Sequence, residues 1–218
     1  MYSKEELQKR KDELAPWHAP IYLGHYVWTN PQPKAGRKPS WYFDNLEWAM
    51  GGIEGKRIMD IGSNTGYMAV ECALRGASVV SIEAHPKNVE RCKFVYEARG
   101  VSDRVELLAD DMEKISLETH GKFDAILFCG TVYHCTYPWE VMNNFGKMAE
   151  HILVESVIVP SARVNDRVHT PNRKIYEFEK TLEIGGHELG RPWTAEIRRS
   201  TRRTLMMMIQ DAGFTNVS

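Results

Sequence analysis

The segment from Arg57 to Glu83 constrains the fold more than any other part of this chain. It reads RIMDIGSNTGYMAVECALRGASVVSIE: an apolar run ending in Asp-Ile-Gly, a short polar loop, a helix-prone stretch, and a second apolar run ending in Glu. Short apolar runs on either side of a helical stretch predict a βαβ unit, whose two strands lie parallel in one sheet.

The same alternation continues along the chain. The predicted strands are RIMDI, SVVSIE, RVELLAD, FDAILFCG and HILVESVIVP. The predicted helices are GYMAVECALRG, PKNVERCKFVYEARG, VMNNFGKMAE and STRRTLMMMIQDAG, with shorter ones at 3–14 and 45–50. This order predicts an α/β fold: a Rossmann-like, doubly wound, mostly parallel sheet with helices on both faces.

Two regions stand apart from the alternating pattern. Residues 1–50 are predicted to form a helix and an irregular aromatic segment on the substrate side, covering a core edge or, alternatively, a ligand. Residues 51–218 are predicted to form the main domain, with a polar insert at about 161–193 that has weak periodicity. The final FTNVS predicts the start of a strand, and an open edge there would favour pairing with a second copy.

Composition excludes several classes of function. The net charge is −1, so no overall basic field argues for nucleic acid or an anionic membrane. No apolar run approaches the ~18 residues of a membrane span, and the charged N-terminus lacks the apolar centre of a signal peptide. The four cysteines show no CxxC pair or metal-type spacing, which favours free thiols in a reducing, cytoplasmic setting.

The polar loop carries the first indication of a ligand. In a doubly wound sheet, ligands bind outside the carboxyl ends of the strands, where Asp60 and Gly62 stand. Glu83 ends the next strand, where a carboxylate can accept both hydroxyls of a ribose. A dinucleotide fingerprint is disfavoured because Asn64 replaces its middle glycine and Asp60 would repel a pyrophosphate. No Gly-Lys-Ser/Thr follows, which excludes a P-loop, whereas Asp60 suits an ammonium or sulfonium charge.

Four motifs in order carry a family resemblance. DIGSNTGY, Glu83 in SIEAH, Asp110-Asp111 in LLADDMEKI, and FDAILFCG resemble the motifs of class I S-adenosylmethionine-dependent methyltransferases. The resemblance implies S-adenosyl-L-methionine as cofactor and S-adenosyl-L-homocysteine as product. The cofactor-binding residues that it implies are Asp60, Gly62, Ser63, Asn64, Gly66, Tyr67, Glu83, Asp111, Met112 and Cys129.

A narrower resemblance follows at GTVYHCTYPW, 130–139. This stretch is similar to the Gly-x-x-Tyr-His-x-x-x-x-Pro pattern of the family that includes the tRNA wobble-uridine carboxymethyltransferase, whose members also carry a Trp-x-His segment. Trp17-His18 stands at the corresponding place here. This resemblance leaves a small molecule and a tRNA nucleoside both open as acceptors.

Three residues are candidates for the chemistry at the acceptor. Tyr133 and His134 follow the fourth strand of the sheet, where a neutral histidine can take a proton near pH 7 or hydrogen-bond the loop. Tyr133 is interpreted as a wall or hydrogen-bond donor, because a phenol has a pKa of about 10. Glu155 lies in an apolar strand, where a carboxylate must face a cavity or a partner.

The remaining assignments concern substrate, metal and nucleic acid. The candidate substrate-binding residues are Trp17, Tyr22, Trp41 and His169. No metal is expected, because the residues after the fourth strand include no carboxylate or amide ligands. Four arginines at 198, 199, 202 and 203 are interpreted as facing outward from one helix, either as a solvated surface or as a basic patch for tRNA.

These observations predict an enzyme that transfers a methyl group from S-adenosylmethionine to a small molecule by in-line displacement. One alternative is an enzyme that modifies a tRNA wobble nucleoside, and its contacts with phosphate would be salt-sensitive. The other alternative is a regulatory subunit that binds the cofactor without turnover. A homodimer remains open as a partner arrangement.

Overall fold

The computed structural model describes residues 2–30, 40–170, 174–183 and 195–215. The helices are α1 (Lys4–Glu13), α2 (Ser40–Met50), α3 (Tyr67–Leu74), α4 (Pro86–Arg99), α5 (Leu117–His120), α6 (Pro138–Met148) and α7 (Arg202–Asp211). The strands are β1 (Tyr22–Gly24), β2 (Val27–Trp28), β3 (Arg57–Ile61), β4 (Ser78–Ile82), β5 (Val105–Leu108), β6 (Phe123–Cys129), β7 (Ala149–Glu155), β8 (Asp166–His169), β9 (Ile175–Glu183) and β10 (Ala195–Ser200).

The main sheet has five strands in the order β5-β4-β3-β6-β7, and every neighbouring pair is parallel. Within this sheet the chain therefore enters at the central strand β3 and proceeds outward through β4 to β5. It then crosses back to β6 beside β3 and reaches the opposite edge at β7. The order reverses between β3 and β6, and such a switch point opens a crevice at the carboxyl ends of the strands. The predicted Rossmann-like α/β fold is confirmed.

Apolar residues cover both faces of this sheet. On one face Ile58 and Leu127 join a core with α3 and α4. On the other face Met59 and Ile126 join a core with α6, α7 and Phe178 of β9. Successive residues of β3 thus belong to different cores, as the two-residue repeat of a strand requires. A strand covered on both faces carries apolar residues on both, and the apolar residues of RIMDI do so, which indicates a central strand.

The polar insert contributes β8 and β9 to a second sheet, which β10, just after the insert, completes in the antiparallel order β10-β9-β8. It packs on the main domain through Tyr176 and Phe178, whose rings lie 6.3 and 5.8 Å from that of Trp139 at the start of α6. The expectation that four arginines share one helix is wrong for two of them. Arg198 and Arg199 belong to β10, and only the pair at 202 and 203 begins α7.

The N-terminal segment packs on the outer side of α4. A capping box at Ser3 and Glu6 begins α1, as the polar N-terminal sequence favours. The Tyr2 hydroxyl donates to Glu97 over 2.7 Å, and the Nε of Arg91 donates to the carbonyl of Leu14 over 2.7 Å. Residues 2–30 therefore brace one helix of the main domain.

Two of the boundaries that differ from the sequence prediction are those of α2 and β7. Helix α2 begins at Ser40, five residues before the predicted start. Strand β7 ends at Glu155 and does not continue to Pro160, and the following Val157 and Ile158 are about half exposed. The predicted strand at 214–218 lies largely outside the described residues. Among the helices of the described ranges, none is long and apolar enough to cross a membrane.

Candidate functional site

The loop between β3 and α3 forms the centre of the candidate site. Gly62, Asn64 and Gly66 have φ angles of +69°, +54° and +84°. Glycine reaches these values without strain, and asparagine is among the few other residues that do so readily. Asn64 therefore occupies a left-handed conformation that a glycine would also adopt.

Two of these glycines also allow close approach. A Cβ at Gly62 would overlap the Cγ2 of Thr131, which follows β6. A Cβ at Gly66 would stand 2.6 Å from Cε1 of Tyr96 on α4. The loop is thus pressed between the residues after β6 and the inner side of α4, which fixes its position over the ends of the strands.

Glu83 connects the loop to the end of β4. Its side chain is 8% exposed; Oε2 accepts the backbone N–H of Asn64 over 2.7 Å and Oε1 accepts that of His85 over 2.8 Å. These contacts hold the carboxylate plane in one orientation beside the loop. A carboxylate oxygen can accept more than one hydrogen bond, so this group is of a kind that can bind hydroxyls.

Asp60 is a buried carboxyl group directly beneath the loop. It is 3% exposed, and among the described residues no donor contacts its Oδ2 atom. Burial raises the pKa of Asp60 to about 7; hydrogen bonds from Ser63 and the backbone of Ala69 oppose this rise, whereas nearby Glu83 adds to it. A buried acceptor of this kind fits a ligand that carries a positive charge.

The two acidic residues after β5, Asp110 and Asp111, accept different backbone N–H groups. Oδ1 of Asp110 accepts the N–H of Asp111 over 2.7 Å. Oδ1 of Asp111 accepts the N–H of Glu113 over 3.0 Å and so caps the short turn Met112–Lys114. Both carboxylates are half-buried, and Met112 contacts the Sγ of Cys135. The pair stands after β5 on the same sheet edge as Glu83.

The ends of β6 and β7 bring the predicted catalytic residues together. Gly130 follows β6 and its N–H donates to the carbonyl of Glu155 over 2.9 Å. A Cβ at Gly130 would lie 3.7 Å from Oε2 of Glu155 and 3.9 Å from the hydroxyl of Tyr133. Both polar groups therefore face one point beside Gly130, and the His134 ring lies 4.3 Å from that of Tyr133.

Tyr42 of α2 is a residue that the sequence analysis did not single out for this site. Helix α2 packs on β7. Burial, followed by the nearby charge of Glu155, raises the pKa of the Tyr42 phenol. Its place in an aromatic run at 41–43 was the only sequence signal, and that run does not indicate which ring faces the strand ends.

Two other predicted residues flank the same region. The Tyr67 ring packs edge-on against Phe43, with centroids 6.1 Å apart, and burial raises the pKa of Tyr67 to about 12. Burial likewise raises the pKa of the Cys129 thiol, whose Sγ donates to the carbonyl of Leu153. Both groups are therefore neutral at physiological pH.

The structure places the predicted substrate-binding residues in different surroundings. Trp17 is 8% exposed; it packs on Phe94, and its Nε1 donates to the backbone carbonyl of Lys11. Tyr22 lines a pocket of about 170 Å³ between β1 and α3, together with Tyr67. His169 ends β8 and is exposed. Trp41 lies in α2, but its side chain is outside the described part.

The four arginines do not form one surface. Arg198 is 8% exposed and donates to Asp166 and to the carbonyl of Thr136. Arg199 forms an ion pair with Glu179 of β9 over 3.6 Å. The remaining two arginines, at 202 and 203, are exposed. Within the described ranges, no group of three or more His, Cys, Asp or Glu side chains is placed to hold a metal ion.

Comparison with known proteins gives one family match. Residues 59–150, from β3 into β7, match the model of the methyltransferase domain family. The mitochondrial ubiquinone biosynthesis O-methyltransferase of Arabidopsis thaliana is 32% identical over 88 residues, which cover 40% of this chain and 27% of that protein. The tRNA 5-carboxymethoxyuridine methyltransferase of Escherichia coli K12 is 28% identical over 83 residues, which cover 38% of this chain and 30% of that protein.

These curated relatives are longer than the matched region, and the chain spans about a quarter to a half of their length. A solved structure covers the chain more fully. The N-terminal domain of EvdMO1, determined in the presence of SAH and D-fucose, has a TM-score of 0.80 and 24% identity, over 99% of this chain and 89% of that one. Residues 59–150 match the methyltransferase domain family, and the fold of the chain is similar to that of the N-terminal domain of EvdMO1.

Proposed function

We propose that this protein transfers a methyl group from S-adenosylmethionine to an oxygen of a small molecule. The observation that carries the proposal is the placement of three acidic side chains along the carboxyl ends of the strands. Asp60 and Glu83 stand at the ends of β3 and β4, and Glu155 stands at the end of β7. The family match over 59–150 and the O-methyltransferases among the relatives support both the cofactor and the reaction.

The cofactor fits the residues on the β3–β4 side. The buried Oδ2 of Asp60 would accept the methionyl ammonium group beside the loop Gly62–Gly66. Glu83, oriented by its two backbone contacts, would accept the ribose hydroxyls. Asp111 and Met112 would border the adenine. When bound, S-adenosylmethionine supplies a methyl group on a sulfonium, which an oxygen nucleophile can displace in line.

The residues beyond β6 fit an acceptor hydroxyl. Glu155 and Tyr133 converge beside Gly130, where Glu155 can take the hydroxyl proton and Tyr133 can orient the oxygen. His134, in the same turn, is the second candidate for the base. Among the described residues no Lys, Arg or His forms an ion pair with Glu155. The Glu155 carboxylate would therefore repel an anionic acceptor and favours an uncharged or cationic one.

The remaining assignments complete the proposal. The aromatic residues Trp17, Tyr22 and Trp41, with His169 of the second sheet, are proposed to border the acceptor, and residues 1–50 to act as a substrate-side segment. The four cysteines are free, and three of them are buried, which supports a reducing, cytoplasmic setting. Pairing with a second copy along a sheet edge remains a prediction.

A tRNA nucleoside is the second candidate acceptor, favoured by the relative from Escherichia coli. It is disfavoured by the ion pairs of Arg198 and Arg199, because phosphate binding depends on available positive charge.

An acceptor screen tests the proposal. Isotope-labelled S-adenosylmethionine is incubated with the protein and either a panel of hydroxylated small molecules or total tRNA. Label in a small molecule supports the proposal, whereas label in tRNA alone contradicts it. Cofactor binding without transfer to any acceptor would instead favour a regulatory subunit.

A further inference from the structure

The inner face of α4 lies directly under the cofactor loop. Cys92 and Tyr96 are four residues apart on this helix and so share a face. The Cys92 thiol donates to the carbonyl of Asn64, with 3.2 Å between Sγ and O. The Tyr96 ring occupies the space where Gly66 would otherwise carry a side chain. Both contacts fall on the backbone of the loop.

A row of three buried hydroxyl groups links Tyr96 to the start of the loop. The Oγ of Ser81, on β4, lies 2.7 Å from the Tyr96 hydroxyl and 2.7 Å from the Oγ of Ser63. The Oγ of Ser63 lies 3.1 Å from the backbone carbonyl of Asp60. Ser81, Tyr96 and Ser63 are 0%, 3% and 7% exposed, so the row is shielded from water.

Because each hydroxyl has one proton, the direction of the row is fixed. The carbonyls of Asp60 and Ile82, which lie 3.1 and 3.4 Å from the Oγ of Ser63, can only accept, so Ser63 donates away from Ser81. Ser81 must then donate to Ser63, and Tyr96 must donate to Ser81. The Tyr96 proton is therefore the first in a chain of donors that ends at the strand residue beneath the loop.

We propose that Tyr96 is a positioning residue for the cofactor: through Ser81 and Ser63, its hydroxyl holds the loop Gly62–Gly66 in the conformation that receives the methionyl group. This inference rests on the proposed function. Loss of the hydroxyl leaves Ser81 without its donor and loosens Ser63, while the ring keeps its contact with Gly66. The expected effect is weaker cofactor binding by a folded protein.

The test compares two tyrosine-to-phenylalanine variants. Tyr176 is a matched control, since it is also 3% exposed and its hydroxyl donates to Asp211 over 2.5 Å, in the other core. Calorimetry with S-adenosylhomocysteine measures the Kd of each folded variant. Tyr96→Phe is expected to raise the Kd roughly two- to tenfold, the range for one net hydrogen bond. Tyr176→Phe is expected to leave it within about twofold of the unchanged protein.

A second variant protects the test against failure to fold. Ser81→Ala interrupts the same row and is expected to raise the Kd in the same direction. Because the two residues act through one chain, the double variant Ser81→Ala/Tyr96→Phe should bind about as weakly as the weaker single variant.

Two results would overturn the inference while leaving the proposed function intact. One is an unchanged Kd in Tyr96→Phe or, where that variant does not fold, in Ser81→Ala. The other is an equal rise in Kd for Tyr96→Phe and Tyr176→Phe, which would indicate a general loss of order. Absence of binding by the unchanged protein would count against the proposed function itself, and the inference would fall with it.

Discussion

Glu83 accepts the backbone N–H of Asn64 over 2.7 Å, so the residue proposed to bind the ribose also fastens the loop proposed to bind the methionyl group. The two halves of the cofactor site are therefore coupled through one carboxylate. Its other oxygen accepts the N–H of His85, which prevents the side chain from turning away. A change at Glu83 should consequently affect more than one contact with the cofactor.

Glu83→Gln should weaken binding of S-adenosylmethionine at least about tenfold, because a charge-assisted hydrogen bond contributes roughly 1.5–3 kcal/mol. The amide presents only one acceptor oxygen, so either Asn64 or His85 loses its partner. Calorimetry measures the Kd. Glu106→Gln, on the exposed side of β5, is the control and should bind normally. Normal binding by Glu83→Gln would exclude this residue from the ribose site.

The pKa of Asp60, raised to about 7 by burial, predicts that cofactor affinity depends on pH. A cationic group binds the carboxylate form, so affinity should rise about tenfold from pH 5.5 to pH 7, as the group loses its proton. Binding below pH 7 should release a proton, visible as a dependence of the calorimetric heat on the buffer. Asp60→Asn should bind weakly and without this slope; the same slope in that variant would assign the titration to another group.

The same group affects folding in the opposite direction. Asp60 has a higher pKa in the folded chain than the ordinary 3.8, so the folded state holds this proton more tightly. Its contribution to the free energy of unfolding is therefore present below pH 4 and is lost as the pH rises through about 7. Replacement by Asn should accordingly raise stability at pH 8 while lowering affinity for the cofactor.

Gly62→Ala should destabilise the protein more than Gly100→Ala. Both glycines have φ near +65°, but a Cβ meets Thr131 at the first and nothing within 4 Å at the second. Left-handed strain costs about 1–2 kcal/mol at either position, and the overlap adds about 1–3 kcal/mol at Gly62. Urea unfolding measures the difference.

A rescue variant isolates the overlap at Gly62. Thr131→Ser removes the clashing methyl group and keeps the hydroxyl that donates to Ile61 over 3.3 Å. In combination with Gly62→Ala it should recover part of the lost stability. Equal costs for the two glycine variants, with no recovery in the combination, would contradict the close approach of the loop to the end of β6.

Glu155→Gln should reduce the rate of transfer while leaving the Kd for the cofactor unchanged. General-base catalysis contributes about 10²–10⁴ in rate, and the loss should fall in kcat. Glu150→Gln is the control, because Glu150 is an exposed carboxylate on the same strand. An unchanged kcat for Glu155→Gln would move the role of base to His134 or show that the acceptor needs none.

Much of the fold could be predicted from the sequence because its central strands are buried on both faces. RIMDI and SVVSIE each contain neighbouring apolar residues that face opposite cores, and β3 and β4 lie where they predict. The polar insert was harder to interpret. In β9, Tyr176 and Phe178 face the core and Glu177 between them pairs with Arg167 of β8, but this alternation extends over only a few residues. Its partners in β8 and β10 also lie outside any local pattern.

The site likewise contains residues that local sequence spacing predicts and residues that it does not. Asp60, the loop and Glu83 belong to one βαβ unit. Their spacing in the sequence therefore predicts that they lie together at the carboxyl ends of neighbouring strands. The position of Tyr42 near Glu155 depends on how α2 packs against β7, which no local spacing records. The four-residue spacing of the arginines at 198 and 199 from those at 202 and 203 predicts one helix. The same spacing also occurs where a strand runs into a helix, as it does here.

The most direct measurement is calorimetric titration of the purified chain with S-adenosylmethionine and S-adenosylhomocysteine, with NAD as the control. The account predicts micromolar binding of the first two and none of NAD, because Asp60 suits a sulfonium-bearing cofactor and repels a pyrophosphate. Binding of NAD alone, or of none of the three, would contradict the assignment of the loop Gly62–Gly66 to S-adenosylmethionine.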